Sequence, residues 1–120
     1  MTVKNNTTYF LAFIHPISKQ YVFLAKNADI KSICYSTYPK LLGTIVPDYA
    51  KIYSSIEAAK SDIYLLRYYH RCFLSILCAI IPTSIVNNCR IDNSDIIVEY
   101  DALDFVEPVR INEINFFIEQ

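Results

Sequence analysis

Hydrophobic positions repeat with a helical period over one long stretch of this chain, Ser54 to Ile81. Ile56, Ala59, Ile63, Leu66, His70, Phe73, Leu77 and Ile80 recur at steps of three and four, which lays one stripe along a helix. Ser54 and Glu57 precede it as an S-x-x-E capping box. The hydroxyl accepts from an early backbone N–H, and the carboxylate reaches back to the Ser54 amide. Pro82 closes the stretch, since it lacks an N–H and clashes with the preceding turn. The spacing predicts one long helix over about 54–81. Past Arg71 the run CFLSILCAII is apolar all round, which predicts a helix end enclosed by the sheet and another layer, or by a dimer contact.

The rest of the chain reads mainly as extended segments. Thr8–His15 and Gln20–Lys26 flank the turn residues Pro16, Ile17, Ser18 and Lys19, a β-hairpin pattern. Both runs are apolar at nearly every position, as central strands covered on two faces are. One face can take the helix; the other needs a second layer or a second subunit. Asn27–Pro47, interrupted by Pro39, Gly43 and Pro47, reads as loop with short helical pieces. Within it, Asp29 can cap a helix through Tyr35, or Ile33–Tyr35 can be a strand. Ala50–Tyr53 is a short strand that delivers the chain to the Ser54 cap, and Thr83–Asn93 is a connector. Asp95–Tyr100 (DIIVEY) is a strand and Asp101–Glu107 an acidic loop. Val109–Ile111 and Ile114–Ile118 are extended, with a bulge near Asn112–Glu113 where the alternation changes phase. The sum is one α+β domain over 1–120: a small antiparallel sheet packed on one long helix, with a C-terminal β pair as a second layer.

Composition narrows the chemistry. A hydrophobic fraction of 53% with 14% aromatics belongs to a packed domain. With Gly43 the single glycine, P-loops and dinucleotide fingerprints are excluded, because those cradles need glycine for the backbone to approach the anion. Cys34, Cys72, Cys78 and Cys89 form no C-x-x-C pair and have no histidine at ligand spacing, so no zinc site and no cofactor is expected. The polar start MTVKNNTT is unlike a signal peptide, and Cys72–Val86 is too short to span a bilayer. A cytoplasmic protein with no membrane contact is the expectation. His15 and His70 are the only imidazoles, and neither lies in a nucleophile motif, so no catalytic residue is assigned. Asp92, Asp95, Glu99, Asp101, Asp104 and Glu107 are dense but lack the calcium-loop pattern, and read as a solvated acidic edge.

Charge is unevenly placed. Up to Arg71 there are nine Lys/Arg against four Asp/Glu; from Cys72 onward there are two against eight. The acidic part suits a basic partner surface, with Asp95, Glu99, Asp101, Asp104 and Glu107 as contacts and Phe105 as an apolar anchor. The helix face carrying Lys60, Tyr64, Arg67, Tyr68 and Arg71 mixes rings with cations and offers an alternative, nucleic-acid contact. The net charge of −1 argues against strong polyanion binding.

Two resemblances bear on function. The stretch TYFLAFIHPISKQYVF is similar to the opening hairpin of GIY-YIG nucleases, with Thr8-Tyr9-Phe10 and Tyr21-Val22-Phe23 at the spacing of that family's tripeptides. Thr8 and Phe23 stand where the family has glycines, and Arg67 is a loose counterpart of its helical arginine. This resemblance implies, as an alternative, a nuclease-like or nucleotide-handling domain using Tyr9, Tyr21 and Arg67. The hairpin followed by AKIYSSIEAAKSDI resembles the strand-into-capped-helix arrangement of small phage and mobile-element accessory proteins. That resemblance implies a viral or prophage setting and a non-catalytic role. The expected function is a binding protein that blocks a host defence or nucleic-acid-processing protein. A homodimer is suggested by the doubly apolar hairpin and the apolar helix end.

Overall fold

The computed structural model describes residues 7–86, 97–106 and, as backbone, 116–118. In chain order its elements are β1 (Tyr9–Ile14), β2 (Tyr21–Leu24), α1 (Ile30–Tyr35), β3 (Lys40–Thr44), β4 (Ile52–Tyr53), α2 (Ile56–Tyr69), β5 (Leu77–Pro82), β6 (Val98–Asp101) and β7 (Phe116–Ile118). The fold is α+β: a largely antiparallel sheet with one main helix, α2. The sheet runs β6-β3-β2-β1-β5-β7, with β4 beside β1.

The apolar hairpin strand β1 is the centre of this sheet. It pairs with β5 along its whole length, from Tyr9↔Pro82 to Ile14↔Leu77. Its other edge is divided, with Ala12–Ile14 on β2 and Tyr9–Phe10 on β4. Alternation sends Leu11, Phe13, Val22, Leu24, Cys78 and Ile80 into the core beneath the helices, where they meet Ile33, Ala59, Ile63, Leu66, Phe73 and Phe105. Phe10, Ala12, Ile14, Phe23, Ala79 and Ile81 form a second buried cluster, with Phe10 and Phe23 rings 5.1 Å apart. Both faces of the hairpin are thus buried within one chain, and the hairpin gives no reason for a second subunit.

The helix departs from the sequence expectation at both ends. Its N-cap is Ser55, one residue later than expected, whose hydroxyl accepts from the Ala58 N–H at 3.0 Å. It ends at Tyr69, because His70 takes extended angles (φ −133°, ψ 116°). A 3-10 turn, Arg71–Leu74, follows, and then the strand β5. The segment read as an enclosed helix end is therefore a 3-10 turn and a central strand. The two readings share one signature, an apolar residue at every position, and a buried strand between β1 and β7 satisfies it as well as a buried helix. The strand wins because it completes a six-residue ladder with β1.

Asp29 does cap a short helix through Tyr35, accepting from the Lys31 N–H and the Ser32 hydroxyl, each at 3.0 Å. β3, missed within Asn27–Pro47, depends on the single glycine. A methyl group at Gly43 would collide with Cγ1 of Val22 and lie 3.1 Å from the Tyr100 ring. The turn between β1 and β2 places Lys19 at φ 61°. His15 fixes that turn, its Nδ1 accepting from the Ile17 and Ser18 N–H groups at 3.3 Å.

The C-terminal strands are present, but on opposite edges of the one sheet. β6 adds to β3 and β7 adds parallel to β5. The expectations for Cys89, Asp92, Asp95, Glu107, Val109–Ile111 and the Asn112–Glu113 bulge lie outside the described residues.

Candidate interaction surfaces

The acidic loop becomes a compact turn. β6 leads into a 3-10 turn, Ala102–Phe105, capped by Asp101, whose carboxylate accepts from the Leu103 N–H at 3.0 Å. The turn splits its residues between inside and outside. Ala102 and Phe105 point into the core, while Leu103 and Asp104 face outward. Phe105 is 1% exposed and its ring packs edge-on against Phe13, His15 and Tyr100 at 5.6–6.4 Å between centroids.

That burial corrects the sequence assignment. Phe105 holds the turn to the core and cannot anchor a partner. The outward apolar residue is Leu103, 60% exposed, with Asp104 beside it and Glu99 exposed on β6. Of the predicted contacts, Glu99, Asp101 and Asp104 are exposed here; Asp95 and Glu107 lie outside the described residues. A regular alternation cannot reveal Leu103, because a 3-10 turn has a period near three.

The second surface lies where α1 and α2 end. α1 packs against α2, and His70 Nε2 lies 2.7 Å from the Ile33 carbonyl, tying the two C-termini together. Around this tie the Tyr35 and Tyr69 rings meet edge to face at 5.3 Å, and Tyr68 and Tyr69 at 5.1 Å. Tyr35, Tyr38 and Tyr68 are 74%, 76% and 82% exposed, and Tyr64 and Tyr69 about half. The Tyr35 hydrogen bond raises the Tyr69 hydroxyl above its ordinary pKa. Tyr35 and Tyr69 were not assigned from sequence; the meeting of the two helix ends sets the Tyr35 ring against Tyr69, beside Tyr68.

Arg67, assigned to the outward face, turns partly inward. Its guanidinium lies 5.9 Å from the Tyr64 ring centroid and near the buried Cys78 thiol, and desolvation lowers its pKa. Burial pushes the Cys78 thiol up to about 12, against the pull of Arg67. Arg71 and Tyr68 are exposed and Lys60 is partly buried, so the predicted basic–aromatic face is only partly assembled.

The two surfaces adjoin. The Ala102 N–H donates to the Pro39 carbonyl at 3.2 Å, next to Tyr38, and the Arg71–Leu74 turn packs against Ala102–Phe105. A cleft of about 340 Å³ separates α1 from the β3–β6 edge, lined in part by Asp29, Ser32, Ser36, Lys40 and Glu99. Much of its polar wall is already engaged: Asp29 caps α1, and the Ser36 hydroxyl donates to the Tyr38 carbonyl at 2.9 Å. Among the described residues, no group of three or more His, Cys, Asp or Glu side chains could hold a metal ion.

The hairpin tyrosines do not converge with Arg67. Tyr21 sits opposite Ile14 beside the turn, whereas Tyr9 is at the far end of β1, opposite Pro82 and Tyr53. Tyr9 packs with the core on the helix side, and Tyr21 alternates to the other face from Val22. Among the described residues, no helix is long and apolar enough to cross a membrane. Comparison with protein-family models, curated proteins and solved structures finds no match.

Proposed function

We propose that this chain is a non-catalytic binding protein that occupies a basic surface on a second protein through the turn Asp101–Phe105. The observation that carries this reading is the division of that turn: Phe105 is locked in the core, and Leu103 and Asp104 are presented outside beside Glu99. An exposed apolar tip rimmed by carboxylates suits a partner that offers a small apolar pocket among lysines or arginines. In the phage or mobile-element setting that the strand-into-capped-helix arrangement implies, the partner is a cytoplasmic host defence or nucleic-acid-processing protein. Binding then inhibits by covering the groove that the host protein uses for its own anionic ligand.

The test is affinity capture from a host lysate with the chain and with Leu103→Ser/Asp104→Lys. The expected outcome is one basic protein retained by the former and lost by the latter, at unchanged folding by circular dichroism. Equal capture by both removes the turn from the reading.

A further inference from the structure

Tyr35 and Tyr69 stand in an arrangement that the proposed binding surface does not use. α1 ends at Tyr35 and α2 at Tyr69, and the two rings meet edge to face with centroids 5.3 Å apart. Their hydroxyls share a hydrogen bond. Tyr35 is 74% exposed and Tyr69 42%, so small solutes reach both rings. A hydrogen-bonded pair of phenols brings together the carbons beside each hydroxyl, which are the positions where a phenoxyl radical couples. Exposed side chains reorient within roughly nanoseconds, which lets these carbons close to bonding contact. The His70 tie to the Ile33 carbonyl at 2.7 Å meanwhile holds the two helix ends together.

Competing sites of oxidation are few. The chain has no tryptophan, and Met1 is its single methionine. Thiols react as thiolates, and burial raises the pKa values of Cys34, Cys72 and Cys78, which keeps all three protonated. Cys34 and Cys78 are also shielded from solvent. Tyr68 lies against Tyr69 at 5.1 Å between centroids, but the two are neighbours on α2, and adjacent helix positions do not face each other. Tyr35 comes from a different element and faces Tyr69 across the junction.

We propose that Tyr35 and Tyr69 are a site of oxidative cross-linking, at which a one-electron oxidant of the haem-peroxidase type joins them into dityrosine. Each phenol gives up one electron and its hydroxyl proton to the oxidant, and the two phenoxyl radicals couple through one carbon beside each oxygen. Each coupled carbon then passes its hydrogen to the ring oxygen, which restores both phenols. The pair loses two hydrogen atoms in all, and one hydrogen peroxide accepts them as it is reduced to two waters. The new bond staples α1 to α2. The inference stands independently of the function proposed for the turn.

Treatment of the purified chain, at low micromolar concentration, with a haem peroxidase and hydrogen peroxide tests it. The expected product is a monomer with the blue fluorescence of dityrosine, lighter by two hydrogen atoms, whose fragmentation spectra place the bond between Tyr35 and Tyr69. Tyr35→Phe and Tyr69→Phe keep the rings and remove the hydroxyls, and each lowers the intrachain yield about tenfold or more, because the preset partner is gone. Tyr38→Phe and Tyr68→Phe keep the product. The linked monomer melts at a higher temperature than the unlinked chain, since the bond restricts the unfolded state over 35–69. A bond placed elsewhere, a bond only between separate chains, or an undiminished yield from either of the first two variants overturns the proposal. So does the absence of dityrosine in the chain while free tyrosine in the same mixture is coupled. A linked monomer that melts no higher than the unlinked chain overturns the staple.

Discussion

Phe105 and Leu103 are two residues apart, both large and apolar, and have opposite fates. Phe105 closes the core beside Phe13 and Tyr100, whereas Leu103 stands in solvent. The same contrast separates the core from the tyrosine face, where rings as large as those inside remain outside. Apolar character alone therefore does not mark the core of this chain. What decides is whether the backbone aims a side chain beneath the helices, and in a 3-10 turn the aim changes every residue.

The sharpest break of that comparison is Phe105→Ala. Removing a buried ring costs about 3–5 kcal/mol, so the urea midpoint should fall steeply. Leu103→Ser should change stability by less than about 0.5 kcal/mol, as surface substitutions do. Equal losses for the two would contradict the division of the turn. Gly43→Ala comes next: its methyl must displace Val22 or Tyr100, and overpacking of this kind costs about 1–3 kcal/mol. An unchanged melting temperature would mean that β2 and β6 yield without strain.

Alkaline pH probes the inside of the same comparison. Burial raises the Cys78 thiol to about 12, and burial and the Asp62 contact raise the Tyr53 hydroxyl, which donates to Asp62 at 2.6 Å. Groups whose pKa is raised by folding keep their protons in the folded state. Their stabilisation is complete below the unfolded pKa and is lost as pH climbs toward the folded value. Stability should therefore decline from pH about 8.5 upward for Cys78, and further above about 10 for Tyr53. The loss approaches about 1.4 kcal/mol per pH unit for each group. Urea titrations at pH about 7, 10 and 11 check this, and Cys78→Ala should flatten the earlier part of the decline. Among the substitutions that break a contact inside the fold, the smallest expected loss is His70→Ala, which removes the tie to the Ile33 carbonyl and costs about 1 kcal/mol. Hydrogen exchange should then quicken in α1 before the sheet responds.

Much of the architecture was legible in the pattern. The hairpin, the start of α2 within one residue, and the strand containing Val98–Tyr100 follow from periodicity and local chemistry, whereas the Asp29-capped helix was one of two readings the sequence allowed for that segment. The replacement of the expected helix end by a 3-10 turn, Arg71–Leu74, and the strand Leu77–Pro82 was not legible. Its stripe fits a helix, and the ladder with β1 that overrides it is a tertiary fact. β3 was hidden for a related reason, since Gly43 reads as a breaker until Val22 and Tyr100 close over it. The acidic turn was visible as a segment, yet the exchange of roles between Phe105 and Leu103 was not. The tyrosine face was half visible: Tyr64 and Tyr68 share a helix face in the sequence, but Tyr35 meets Tyr69 beside them only through folding.

The proposed function sets an outward tip at Leu103 and Asp104 against another protein, with Phe105 holding the turn in place. Titration of the captured partner with the chain and with Leu103→Ser tests this most directly. A tenfold or greater loss of affinity at unchanged melting temperature is the predicted result. An unchanged dissociation constant would contradict it.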